Sequence, residues 1–200
     1  IMNKTSFSIV VIVFLGLVVF TSCEEDAPNP KPPTFLKQEF PQHSYHIEKG
    51  VAPFQFNISD YCTLKPSVNC NEYYCEQEIY LGKEFNGNIN LFYKKVDHPD
   101  SIGGLINFSN QEVDFHKMKA SDIAYDQIID NESKVYGTLF ELKGDVATNF
   151  QFYLTDSLQN FVRGELVLNC VPKYDSLRHV LSYLKVDLTE MINTFEWQQD

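Results

Sequence analysis

The sequence predicts an α+β domain, a mainly antiparallel sheet covered by a central helix and a long C-terminal helix. Three observations carry that expectation. Before about residue 96, and again from 135 to 171, apolar and polar residues alternate at the two-residue period of a strand. From about 101 to 129, and from 174 onward, the period is helical. Consecutive strand segments are joined by short connections, which makes them antiparallel neighbours. With 16 Phe and 11 Tyr, the chain also holds the bulky residues that sheets bury well.

The first residues predict export rather than fold. Lys4 is followed by an apolar run from Phe7 to Phe20, then by the small residues Thr21 and Ser22 before Cys23. The run is short for a membrane span, which needs about 20 residues. The pattern is that of a secretory signal ending in a lipobox-like site. Cleavage before Cys23 would leave that residue acylated by long chains of the palmitate kind. Residues 24–34, EEDAPNPKPPT, hold Pro28, Pro30, Pro32 and Pro33, so an extended tether of about 30 Å follows. The predicted organisation is a lipoprotein signal at 1–22, a lipidated Cys with its Pro-rich tether at 23–34, and a single α+β domain at 35–200. A segment of that size can bury a real core.

The elements follow in order. Phe54-Gln55-Phe56-Asn57-Ile58 alternates as a half-buried strand. The stretch from Asp60 to Glu76 reads as a loop. Ile79-Tyr80-Leu81, then Asn86-Gly87, then Ile89, Leu91 and Tyr93 read as a hairpin. Ile102, Leu105, Ile106, Ser109, Val113 and His116 fall near one helical face, although Gly103-Gly104 weakens its first turn. A second helical piece is expected from Ala120 to Ile129. Strands resume at Val135–Leu142, Gln151–Leu154 and Phe161–Leu168, with Thr155-Asp156-Ser157 as a turn. Pro172 ends the last strand, and Asp175 or Ser176 is placed to cap the final helix. Leu177, Leu181, Leu184, Leu188, Met191 and Phe195 then recur at steps of four and three. That stripe is expected to pack on the domain's own sheet rather than on a coiled-coil partner.

Charge and motifs narrow the function. The formal net charge of −11 becomes about −12 once Lys4 leaves with the signal. Such an exterior argues against nucleic acid and against electrostatic docking on anionic lipid. Catalytic and cofactor signatures are absent: there is no G-x-S-x-G, phosphate-binding glycine loop, H-E-x-x-H or dinucleotide fingerprint. No enzyme activity and no cofactor are expected. His43-x-x-His46 has no acid at a convincing metal-ligand spacing, so no metal site is expected either. His116 is expected to be structural. Cys62, Cys70, Cys75 and Cys170 allow three pairings of all four, and an exported chain favours at least one disulfide over zinc. The most compact polar group is Thr155-Asp156-Ser157 with Arg163-Gly164. Asp156 and Arg163 are expected either to pair across a hairpin and fix its register, or to form a contact surface with Ser157 and Phe161.

The C-terminal third carries a resemblance. Gln151–Ser157, Phe161–Leu166, Pro172–Leu177 and Thr194–Trp197 resemble the gliding motility lipoprotein family GldD of Bacteroidetes. His116, Lys119-Ala120 and Ile123 are similar to that family's central helix, and Val135-Tyr136-Gly137 also fits. The resemblance covers roughly residues 35–198, is specific from about 110, and is loose from 55 to 84. A Cys62 and Cys70 loop is not part of it. It implies a lipid-anchored envelope protein, at the outer membrane, working with other components of gliding and of the linked type IX secretion system. It implies no enzyme mechanism. The element order resembles a Mog1/PsbP-like α-β-α sandwich. The rival function is an envelope lipoprotein that binds a lipid, peptide or glycan. Asp-Ser-aliphatic triplets at Asp100, Asp156 and Asp175 resemble an O-glycosylation motif of exported proteins in the same phylum, with helix capping as the plainer role.

Overall fold

The structure, a computed structural model, describes residues 39–67 and 69–198. The signal, Cys23 and the Pro-rich tether lie outside the described residues. Among the described residues, ten strands and three helices follow in the order β1 (Tyr45–Lys49), β2 (Phe54–Ser59), β3 (Thr63–Leu64), β4 (Tyr74–Tyr80), α1 (Gly82–Phe85), β5 (Gly87–Lys95), α2 (Asp100–Asp114), β6 (Ala120–Asp130), β7 (Val135–Gly144), β8 (Thr148–Thr155), β9 (Asn160–Leu168), α3 (Tyr174–Asn193) and β10 (Glu196–Trp197). Seven strands form one sheet in the order β3-β4-β5-β9-β8-β7-β6, and β1-β2-β10 form a smaller one. Each pairing is antiparallel. The α+β class and the antiparallel sheet are as the sequence predicts.

Alternation sorts the large sheet into two faces. Register sets Ile89, Leu91 and Tyr93 of β5 opposite Leu166, Gly164 and Val162 of β9. Those in turn oppose Phe150, Phe152 and Leu154 of β8. This inner face is covered by Leu181, Leu184, Leu188 and Met191 of α3 and by Phe54, Phe56 and Ile58 of β2, in one buried cluster. The apolar stripe of the last helix therefore meets its own sheet. On the outer face, α2 packs over β8 and β9. Ile102 joins Val96 and Phe161 at one end of that helix, and Val113 joins Leu142 and Val146 at the other.

Five expectations are corrected. Residues 120–129 form strand β6 instead of a second helical piece. Ile123, Tyr125, Ile128 and Ile129 are β-formers, and an edge strand with both faces partly wet loses the clean alternation that marks a strand. Helix α2 ends at Asp114, so His116, Lys119, Ala120 and Ile123 lie in the following turn and strand, not on the central helix. The β4–β5 hairpin forms, but its link is the one-turn helix α1, closed by Asn86 in the left-handed region at φ 45°. The start of α3 is capped from elsewhere: Asp145 accepts the Tyr174 amide at 2.8 Å, and neither Asp175 nor Ser176 caps its own helix. The short β7–β8 connection brings Asp145 there. The loop over 60–76 also contains the two-residue strand β3 and the start of β4.

Two glycines set how closely the strands approach. The Phe152 ring lies across Gly164, where an added Cβ would come 2.1 Å from Cζ. At Gly137, a Cβ would lie 1.9 Å from the backbone oxygen of Tyr153. A backbone atom cannot swing aside as a side chain can. Gly137→Ala is therefore expected to lower the unfolding free energy by about 3 kcal/mol, the upper end of the overpacking range. Urea denaturation of the variant checks this, and an unchanged midpoint would contradict the close approach.

Candidate interaction site

The β8–β9 hairpin carries most of the residues singled out in the sequence. Its turn is closed by Asp156. Oδ1 accepts the amides of Leu158, Gln159 and Asn160 at 2.8, 2.9 and 2.9 Å, and Oδ2 accepts Asn160 Nδ2 at 2.7 Å. Burial raises the pKa of this carboxyl, but the amides of Asn160, Leu158 and Gln159 outweigh burial and hold it below the usual range. Ser157 stands at the apex with φ 63°, its amide bonded to Thr155 Oγ1 at 3.0 Å. Leu158 beside it is 56% exposed. Asp156 is thus spent on its own turn.

Phe161 corrects the proposed contact surface. It is 4% exposed and lies under α2 with Val96 and Ile102. It belongs to the core, so it cannot face a partner.

Arg163 has partners other than Asp156. Parity puts it on the outer face, opposite Tyr153 of β8 and Phe92 of β5. Its Nη2 lies 3.0 Å from Glu165, 3.6 Å from Glu112 of α2 and 3.5 Å from Gln151 Oε1. The guanidinium carbon stands 5.7 Å from the Phe92 ring centre. Gln151 continues the chain: its Nε2 donates to Thr148 Oγ1 at 2.8 Å, and that hydroxyl is 3.2 Å from His116 Nε2. Gln151 and Thr148 are 2% and 6% exposed. Burial pushes the His116 pKa below its ordinary value, with Glu165 and Glu112 opposing the shift and Arg163 and Lys119 adding to it. A neutral ring can accept the Thr148 proton, which satisfies every member of the chain. Arg163 is therefore compensated by groups of its own domain.

A second polar knot lies at the start of the domain. Asp187 of α3 takes His43 Nδ1 at 2.6 Å and Tyr45 OH at 2.9 Å on one oxygen, and Tyr61 OH on the other. Burial first, and Asp187 second, push both phenols well above their ordinary range, so they remain donors. Tyr183 stacks on Phe40 and His43 at 4.7 and 4.4 Å, and its hydroxyl donates to Pro41 O at 3.0 Å. His46 turns elsewhere, to Asp60 at 3.0 Å. His43 and His46 thus serve different carboxylates.

The cysteines divide three ways. Cys70 and Cys75 form a disulfide, while Cys62 is buried and Cys170 exposed as free thiols. Burial, and then Asp187, push the Cys62 thiol up to about 12, so little thiolate forms near neutral pH. Cys23 lies outside the described residues. Sequence reading did not single out Glu112, Thr148, Gln151, Glu165 or Asp187; Glu112 meets Arg163, Thr148 meets His116 and Asp187 meets His43 only through packing of distant segments. The one local signal was that Arg163 and Glu165 share a face of the same strand.

The fold and the polar clusters define an α+β domain that closes Arg163 and Asp187 on partners of its own. The chain belongs to the gliding motility lipoprotein GldD family, whose profile matches residues 25–197. It is thus a gliding-motility-related lipoprotein, a family anchored to the envelope by lipid. No curated protein matches the chain. Among the described residues, no helix is long and apolar enough to cross a membrane.

Two outcomes follow for the outer-face network. Arg163→Ala leaves Glu112 and Glu165 facing each other without their cation, at a site where Arg163 is only 12% exposed. We expect a loss of about 1–3 kcal/mol at pH 7. Salt screens the two carboxylates left behind, so the variant's deficit should narrow as ionic strength rises. Parallel melts at low and high salt check the sign, and a salt-independent deficit would contradict it. His116 has a depressed pKa, so the unfolded chain takes up a proton first. Its contribution is complete above about pH 6.5 and is lost as pH falls through the lower folded value. His116→Asn should therefore flatten the stability profile between pH 7 and 5, and an unchanged slope would remove His116 from that role.

Proposed function

We propose that the protein is an envelope component that supports gliding motility and the linked type IX protein secretion system by binding other envelope proteins, without catalysis. Family membership over residues 25–197 is the observation that carries this reading. The outer membrane is the proposed site, with Cys23 carrying the lipid and the Pro-rich segment holding the domain about 30 Å away. Tethering to one surface raises the local concentration of membrane partners, so that modest interfaces suffice. The same reading takes the architecture as a Mog1/PsbP-like α-β-α sandwich, supported by helices on both faces of the large sheet.

The test is a deletion in the native host, with type IX cargo in the medium and surface spreading measured on one strain. The expected result is loss of both, restored by the wild-type gene and not by Cys23→Ala. Lost spreading with normal secretion confines the role to motility. Normal secretion and spreading in the deletion strain would sink the reading.

A further inference from the structure

We propose that β6 is a docking edge that accepts an extended basic segment of a partner protein as an added strand of the large sheet. The inference deepens, and rests on, the reading that the protein works by binding other proteins. β6 ends the seven-stranded order and, among the described residues, has β7 as its only neighbour in that sheet. It runs for 11 residues, whereas the opposite edge, β3, runs for 2. A long edge is usually blunted by Pro, Lys or a covering loop. β6 contains no Pro and no Lys, and its one register shift lies at its start, between Ala120 and Asp122.

The edge has a receiving groove. Pairing with Glu141, Leu139, Gly137 and Val135 puts Ala124, Asp126, Ile128 and Asp130 on the inner face. There a cleft of about 410 Å³ opens between β6 and the C-terminal end of α3, lined by Asp126, Ile128, Val135, Leu139, Thr189 and Ile192. Val135, Leu139 and Ile192 form an apolar floor. A strand added to β6 would lay alternate side chains into this groove while its backbone bonds to the open edge. On the outer face it would cover Tyr125 and Ile129, each 67% exposed.

Charge selects the occupant. Asp122, Asp126 and Asp130 recur at every fourth position of the strand. Asp122 is paired with Lys143, and Asp130 accepts the amides of Glu132 and Ser133 in the turn to β7. Asp126 is exposed and has no ion-pair partner among the described residues. A second copy paired antiparallel about Asp126 would set Asp126 against Asp126 and Asp122 against Asp130, and like charges directly opposite are destabilising. The chain's own tether carries Pro28, Pro30, Pro32 and Pro33, which lack ladder donors. A foreign segment alternating Lys or Arg with β-branched residues would bond to the edge, set its cations beside Asp126 on the inner face with their apolar stems along the groove floor, and lay its β-branched side chains over Tyr125 and Ile129 on the outer face.

The experiment uses the lipidated mature protein in nonionic detergent. Its probes are a peptide of about nine residues alternating Lys and Val, and a Glu-Val counterpart. Amide hydrogen exchange and titration are the readouts. Saturable binding of the Lys-Val peptide is expected, with slowed exchange in β6, weakening in salt, and at least a roughly tenfold loss for Asp126→Lys. That variant should melt like the parent, because the exposed Asp126 side chain makes no hydrogen bond or ion pair among the described residues. Equal binding of both peptides, protection away from β6, or no binding would overturn the proposal. So would β6 protection that grows with protein concentration alone, which assigns the edge to a second copy. Protection in the free chain that vanishes when residues 24–34 become Gly and Ser assigns it to the tether, and overturns it too. Peptide failure sinks the docking edge even where the deletion strain has lost secretion. Normal secretion in that strain sinks the functional reading and leaves the peptide result standing.

Discussion

The rest of the domain depends on α3 lying across the inner face of the large sheet. Leu181, Leu184, Leu188 and Met191 are each at most 4% exposed there, and burying such side chains stabilises by about 1.5–3 kcal/mol apiece. No short polar contact approaches that sum. Once the stripe is seated, the polar positions of the helix are placed as well. Lys185 reaches Glu141 of β7 at 2.6 Å, Asp187 faces the incoming N-terminal strand, and Glu190 meets Asn57 of β2. The small sheet follows from the same placement. β10 comes directly after α3 and pairs with β2, so Phe54, Phe195 and Trp197 close one aromatic group over the core.

That placement also decides where the first described residues lie, which is along α3. Phe40 and His43 stack on Tyr183, and His43, Tyr45 and Tyr61 converge on Asp187.

Legibility in the sequence followed the range of the interactions involved. β5, β7, β9 and α3 were readable because each buries mainly one face, which imprints a period of two or of four-and-three on neighbouring residues, whereas β8, buried on both faces, was readable from its run of bulky apolar residues. β6 was misread because it buries little on either face. Asp122, Asp126 and Asp130 and the isoleucines between them then fit a helical spacing as well as a strand. The cap at Asp145, the clamp at Asp187 and the Glu112 partner of Arg163 were beyond local reading, because register and topology bring them together from distant segments. Asp156 and Arg163 looked like a pair because they are close in the chain. The turn amides outcompete the guanidinium for Asp156, since three of them already converge on one of its oxygens.

The contrast between the two sides of the sheet follows from how each charge is compensated. Near Arg163, α2 brings Glu112 onto a strand that already carries Glu165, and buried Gln151 fills the remaining direction. An added ligand there would have to replace bonds already made in a partly dry site, which costs more than it gains. At β6 the unpaired groups are backbone amides and carbonyls along an edge, together with one carboxylate in water. Those groups lose little on meeting a new strand, because the bonds they would form replace bonds to solvent. The residues that looked most chemical in the sequence are thus committed to the fold. The strand whose pattern was least decided is the one left able to make new contacts.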